Sequence, residues 1–151
     1  MHVHRSALVA RPVESLFDLI EAAEDYPRFL PWCSGARIVL RDDSVVSADL
    51  QVRWHGLHFE MRTRNPKRRP EHMQIHLEHG PFRHFEGLWQ LKVLNASACK
   101  VEFELDYAFT SALVTQAAGG VFNQIADTLV DAFVQEALRR PEAPPAPGAV
   151  G

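Results

Sequence analysis

Eight histidines in 151 residues make metal binding the first chemistry to consider for this sequence. Four of them, His72, His76, His79 and His84, lie close together in the chain. His72 and His76 fall on the solvent face of a predicted strand, about 13 Å apart at about 3.3 Å per residue. Because that separation is too long for two ligands of one ion, we interpret these residues as surface histidines and expect no bound metal.

Acid–base catalysis is the second chemistry to consider, and it needs a carboxylate or a histidine inside a cleft. Glu102, Glu104 and Asp106 alternate onto the solvent face of a predicted strand, and Asp127 and Asp131 lie off the apolar stripe of a predicted helix. The sequence also contains no glycine-rich phosphate loop, no Gly-x-Ser-x-Gly segment and no His-Glu-x-x-His segment. We therefore expect no catalytic residues and predict that the protein is not an enzyme.

A run of basic residues stands out in a chain whose formal net charge is −3. Pro66 and Pro70 indicate a hairpin turn within it. One interpretation is a solvated hairpin tip, and the other is a patch that binds phosphate groups of ribosomal RNA or of an anionic membrane surface. The negative net charge argues against DNA as a partner. The basic run consists of Arg62, Arg64, Lys67, Arg68 and Arg69.

The elements that must carry these residues follow from the periodicity of the apolar positions. A short N-terminal strand precedes a helix that begins at Pro12 and ends near Tyr26. Apolar and polar residues then alternate for about seventy residues, which predicts about six antiparallel strands with one buried face each. From Ala112 to Leu138 the period is again helical, with an apolar stripe that starts at Leu113 and Ala117.

This order of elements predicts the fold class. At about 1.5 Å per residue the C-terminal helix is roughly 40 Å long, and only a curved sheet can cover an amphipathic helix of that length. We therefore predict an α+β helix-grip fold, in which a curved antiparallel sheet wraps around the C-terminal helix. The domain comprises residues 1–140, and the Pro-rich residues 141–151 are predicted to form a disordered tail.

Aromatic side chains on one face of the predicted sheet point toward the C-terminal helix. They either fill a core or line an apolar cavity, and we favour a cavity on the order of several hundred Å³. Gly119 and Gly120 within the helix permit a kink or a close approach, and the segment from Tyr26 to Trp32 is suited to cap a cavity mouth. The candidate ligand-binding residues are Phe29, Trp32, Phe59, Met61, Phe85, Trp89, Phe103, Tyr107, Val121, Phe122 and Ile125.

Several short segments carry a family resemblance. They run from Tyr26-Pro27-Arg28-Phe29-Leu30-Pro31-Trp32-Cys33 through Thr63-Arg64-Asn65 and Glu86-Gly87-Leu88-Trp89 to Val121-Phe122-Asn123-Gln124. On these residues the chain resembles the START-like (SRPBCC) family, which joins mitochondrial ubiquinone-binding START proteins with the ribosome association toxin RatA. Many members are labelled polyketide cyclase/dehydrase. The resemblance covers residues 3–138 and departs from the family's pattern at Leu91 and in the basic run.

The resemblance implies a binding protein for a hydrophobic small molecule, ubiquinone or a related isoprenoid quinone, with no further cofactor and no covalent step. It also implies an alternative of another class, a RatA-type toxin that binds the large ribosomal subunit and blocks subunit joining. A polyketide aromatase/cyclase is a third and weaker alternative. Because the first residues lead into no apolar run typical of a signal peptide, we expect a cytoplasmic protein that is peripheral at the inner membrane during transient contacts.

Overall fold

The computed structural model describes residues 1–141, so the predicted tail of residues 141–151 lies outside the described residues except for its first residue. Within this range, no helix has a stretch long and apolar enough to span a membrane. The elements follow the order that the sequence predicts. They are β1 (His2–Val9), α1 (Val13–Glu21), a 3-10 helix (Ala23–Arg28), β2 (Cys33–Arg41), β3 (Val45–Trp54), β4 (Leu57–Arg68), β5 (His72–His79), β6 (Phe82–Asn95), β7 (Ala98–Phe109) and α2 (Ala112–Arg139).

One antiparallel sheet contains the seven strands of the described chain, in the order β1-β7-β6-β5-β4-β3-β2. Strands β2 to β7 form a meander in which each strand pairs with its successor, whereas β1 pairs with β7. Alternation places Phe103, Leu105 and Tyr107 of β7 on the buried face of this sheet. The sheet curves around α2, which confirms the predicted α+β helix-grip fold.

The buried side of α2 is concentrated toward its C-terminal end. Phe122, Ile125 and Phe133 are each 4% exposed or less. The first turns differ, because Leu113 is 75% exposed and Ala117 is exposed as well. Leu113 and Ala117 face solvent, whereas Ala112, Thr115 and Gly119 on another face of the helix line a groove of about 390 Å³ at the end of β7. The predicted apolar stripe is therefore wrong at its N-terminal end.

The paired glycines of α2 lie near this groove, and Gly119 contributes to its wall. A Cβ at Gly119 would be 3.7 Å from Thr115 Cγ2, which is an ordinary van der Waals distance. A Cβ at Gly120 would meet no packing neighbour of the described chain within 4 Å. The expected close approach at these glycines is therefore wrong. Their effect is to weaken the helix itself, since each glycine in a helix interior lowers its stability by about 1 kcal/mol relative to alanine.

Ion pairs as well as apolar contacts attach α1 to the sheet. Lys67 Nζ donates a hydrogen bond to Glu21 Oε1 at 2.6 Å, and the Lys67 side chain is only 4% exposed. Arg69 donates through Nε and a terminal nitrogen to both carboxylate oxygens of Asp18, at 3.0 and 3.2 Å. Two members of the basic run are therefore engaged by acidic residues of α1.

The hairpin turn after β4 lies later than the two prolines suggest. Pro66 is inside β4, where it is paired with Val45, and the strand continues to Arg68. Since side chains alternate along a strand, Lys67 has the same parity as the buried Met61. The expectation that the whole basic run faces solvent is wrong at Lys67, because β4 is longer than the proline positions predicted.

The buried ion pair between Lys67 and Glu21 predicts a specific loss of stability. We expect Lys67→Glu to lower the free energy of unfolding by about 3–5 kcal/mol, because it places a second carboxylate beside Glu21 where little water reaches. Arg68→Glu is the matched reversal at a side chain that is 73% exposed, and it should change that free energy by less than about 1 kcal/mol. Urea unfolding followed by circular dichroism measures both changes. Equal losses in the two variants would contradict the inferred role of the pair.

Candidate functional site

A cavity of about 90 Å³ lies between α2 and the inner face of strands β3 to β7. Seven of the eleven candidate residues from the sequence line it, namely Trp32, Met61, Phe85, Trp89, Phe103, Phe122 and Ile125. The wall also contains residues that were not singled out as ligand contacts: Tyr26, Leu50, Val52, Thr63, Asn65, Met73, Ile75, Leu105, Ala126, Leu129 and Phe133. The strand residues among them have the inward parity of their strands, so the same alternation identifies them.

The volume of this cavity is smaller than the sequence analysis predicted. About 90 Å³ is well below the roughly 300 Å³ at which ordinary ligand pockets begin. It is also below the roughly 150 Å³ of an apolar cavity known to hold a benzene molecule. The expectation of several hundred Å³ is therefore wrong for this state of the protein, and a ligand of that size requires the walls to separate.

A cluster of aromatic rings fills the interior at one end of the cavity. Phe82 stacks on Phe109 with ring centroids 4.7 Å apart and an interplanar angle of 21°. The ring of Phe82 also contacts those of Phe85 at 4.9 Å, Phe122 at 5.2 Å and Phe59 at 5.5 Å. Phe82 was not among the candidates, although its ring occupies part of the space between the sheet and α2.

Phe59, Tyr107 and Val121 are candidates that do not line the cavity. Phe59 packs in the aromatic cluster, and Val121 is a half-buried residue of α2. The ring of Tyr107 lies 4.8 Å from that of Phe122, and its hydroxyl is buried without a hydrogen-bond partner in the described chain. Burial raises the pKa of Tyr107, with a smaller contribution from the negative charge of Asp127.

The segment from Tyr26 to Trp32 lies against one end of the cavity. The Tyr26 hydroxyl donates a hydrogen bond to the Ile20 carbonyl, which ties the segment to the end of α1. The rings of Tyr26 and Phe29 each contact Phe133 of α2 edge-on, with centroids 5.3 Å apart. Phe29 is a candidate outside the cavity, and it shares with Trp32 an outer groove of about 600 Å³ between this segment and α2. Trp32 therefore separates the cavity from the outside.

The side chains that form the cavity wall are almost entirely apolar. Within the described chain Tyr26 is the one titratable residue that lines it, and burial raises the pKa of Tyr26 far above its usual range. Burial also raises the pKa of the nearby Cys33 thiol to about 11. Residues 1–141 contain no group of three His, Cys, Asp or Glu side chains placed to hold a metal ion. The wall can bind apolar surface, and none of the described residues that line it is a carboxylate or a histidine that could act as a general base.

Ion pairs in the folded protein neutralise much of the positive charge of the basic run. Arg62 donates to the Asp49 carboxylate at 2.7 and 3.1 Å, and the hydrogen bonds from Arg62 are the main cause that lowers the pKa of Asp49 to about 2. Arg68 Nε lies 3.4 Å from Glu71 Oε2. Arg64 is exposed and forms no ion pair with residues 1–141, which leaves it as the free cation of the run in this range.

Comparison with known proteins bears on what such a fold is used for. The ribosome association toxin RatA of Pseudomonas aeruginosa is 39% identical over 136 residues, which cover 90% of this chain and 94% of that protein. The mitochondrial coenzyme Q-binding protein coq10 of Schizosaccharomyces pombe is 26% identical over 130 residues, which cover 81% of this chain and 77% of that protein. One of these proteins is named for ribosome association and the other for coenzyme Q binding, which are the two functions that the sequence resemblance implied.

A fold comparison and a family model add two further matches. The Zhui aromatase/cyclase from Streptomyces sp. R1128 superposes with a TM-score of 0.81 over 99% of both chains, and at 17% identity this likeness concerns the fold alone. Residues 9–134 match the family described as polyketide cyclase/dehydrase and lipid transport. The predicted resemblance is therefore confirmed, and the chain belongs to the polyketide cyclase/dehydrase and lipid transport family.

Proposed function

We propose that this protein binds a hydrophobic small molecule, an isoprenoid quinone such as ubiquinone, between the inner face of the sheet and α2. The observation that carries the proposal is the apolar wall of the cavity, which surrounds a space that the side chains leave empty. Each 100 Å² of apolar ligand surface buried there contributes about 2.5 kcal/mol. That free energy, gained relative to water, offsets the cost of removing the ligand from an apolar bilayer, so that the transfer needs no covalent step.

The comparisons support this class of ligand. The family is described by lipid transport as well as by polyketide chemistry, and a relative of 26% identity is named for binding coenzyme Q. A ligand of that size must enlarge the 90 Å³ cavity, so binding separates residues that now touch. The free energy of ligand burial has to exceed the cost of that separation.

An aromatase/cyclase activity is the weaker alternative. Proton transfer during cyclisation needs an acid or a base in contact with the substrate. The titratable group on the cavity wall in the described chain is the Tyr26 hydroxyl, which already donates to a backbone carbonyl. We therefore propose a binding function rather than an enzymatic one.

Filling the cavity should abolish ligand binding. Ile125 lines the cavity and is 3% exposed, so Ile125→Trp puts an indole ring into the space that a ligand would occupy. We expect the affinity for decylubiquinone to fall at least about tenfold, at a stability cost of about 1–3 kcal/mol from overpacking. Isothermal titration calorimetry measures the affinity, and native mass spectrometry shows whether quinone copurifies from a quinone-containing host.

Leu113→Trp is the control for this experiment, because it makes a similar change on the same helix at a residue that is 75% exposed. We expect it to bind decylubiquinone as the wild type does. Wild-type affinity in Ile125→Trp would show that the ligand binds elsewhere. Wild-type protein that binds no quinone and copurifies with none would overturn the proposed function.

Association with the large ribosomal subunit is the second candidate function. It is favoured by the 39% identity to a protein named as a ribosome association toxin, over 94% of that protein's length. Such an association would use the surface, and therefore residues other than those of the cavity. Because most of the basic run is engaged in ion pairs, we propose Arg64 as its main phosphate contact.

Charge reversal at Arg64 tests this second candidate. If Arg64 contacts ribosomal RNA, Arg64→Glu should reduce cosedimentation with large subunits by about fivefold or more and should weaken its dependence on salt. Arg53→Glu is the matched control, since Arg53 is an exposed arginine of the neighbouring strand β3. Sucrose-gradient sedimentation at two salt concentrations measures the effect. Equal sedimentation of both variants and the wild type would exclude Arg64 as a contact.

A further inference from the structure

Two polar side chains interrupt the apolar wall of the cavity. Thr63 and Asn65 lie two residues apart on the inward face of β4, and Thr63 is only 2% exposed. Asn65 Nδ2 donates a weak hydrogen bond to Met73 Sδ at 3.7 Å. Asn65 Oδ1 is buried and has no hydrogen-bond partner within residues 1–141. The cavity wall therefore contains an acceptor that lacks a donor.

The orientation of the Asn65 amide decides what could satisfy it. A thioether sulfur is a weak acceptor, so the contact with Met73 favours the side-chain NH₂ on that side and the oxygen on the other. A buried acceptor without a donor is destabilising, because it has lost its hydrogen bonds to water. A hydroxyl group of a ligand can donate to this oxygen, whereas a ligand carbonyl or ether presents only another acceptor.

We propose that the cavity selects ligands that carry a hydroxyl group, which donates a hydrogen bond to Asn65 Oδ1 on the same strand as Thr63. The ligand class is then a phenol with an apolar chain, which includes the reduced quinol form of a quinone. This inference rests on the proposed function, since it requires a hydrophobic molecule in the cavity. It adds that the cavity prefers the phenol or reduced quinol form of the ligand over the oxidised quinone or an alkyl ether.

The test compares two redox-inert probes that differ at a single group, 4-nonylphenol and its methyl ether 4-nonylanisole. Wild-type protein should bind the phenol about tenfold more tightly than the ether, as isothermal titration calorimetry measures. In Asn65→Leu this ratio should fall at least about fivefold, because leucine offers no acceptor. A fivefold change corresponds to about 1 kcal/mol of binding free energy. Thr63→Val should reduce the ratio less, since the proposed acceptor remains.

Tyr107→Phe is the matched control, because it removes a buried polar atom that also lacks a partner in the described chain but does not line the cavity. It should keep the wild-type ratio. The melting temperature of ligand-free Asn65→Leu should stay the same or rise, since the variant removes an unpaired polar group. A fall of several degrees would indicate that Asn65 has a structural role instead.

The outcomes separate this inference from the proposed function. If wild-type protein binds neither probe and no decylubiquinone, both proposals fail, and if it binds decylubiquinone but neither probe, only the hydroxyl preference fails. If it binds the two probes equally, hydrophobic binding stands and the hydroxyl preference is wrong. If Asn65→Leu keeps the preference for the phenol, another residue provides the acceptor and the assignment to Asn65 is wrong. The wild-type ratio decides the preference even if a variant does not fold.

Discussion

The long helix α2 has to cover most of the inner face of a seven-stranded sheet that is much wider than it is, and most features of the interior follow from this mismatch. Seven strands about 4.8 Å apart span roughly 29 Å, whereas a helix with its side chains is about 10 Å wide. Curvature of the sheet reduces the shortfall but leaves space on both sides of α2. At one end the rings of Phe82, Phe109 and Phe122 occupy that space. Elsewhere it persists as the cavity.

The helix α1 and the segment from Tyr26 to Trp32 (the cap segment) are held in place by polar contacts as well as by apolar packing. The buried Lys67 side chain binds Glu21, and the Tyr26 hydroxyl binds the Ile20 carbonyl at the end of the same helix. These polar contacts fix the wall of the interior that α2 does not provide. The ion pair with Glu21 also neutralises the charge of Lys67, so the basic run has less positive charge available to bind anions than its sequence suggests.

The sequence predicted what depends on local backbone geometry. Alternation along the strands identified most of the inward-facing residues, including Trp89 and Phe103, because side-chain direction in a strand has a period of two. It could not predict the ion pair between Lys67 and Glu21, whose partners are 46 positions apart. Helical periodicity placed Leu113 on the apolar face of α2, but it carries no information on whether another element lies opposite. The volume of the cavity was overestimated because periodicity does not show how closely rings such as those of Phe82 and Phe122 pack between the sheet and α2.

A cavity of this size would have to open to admit the proposed ligand, and the contacts of the surrounding elements determine where opening costs least. Polar and aromatic contacts hold α1 and the cap segment, and hydrogen bonds to both neighbours hold the inner strands of the sheet. The first turns of α2 bury little beyond Ala118, and the consecutive Gly119 and Gly120 weaken the helix where these turns join its buried part. Phe122, one turn further on, lies in both the aromatic cluster and the cavity wall. Displacement of these turns would therefore move Phe122 and enlarge the cavity without breaking the sheet.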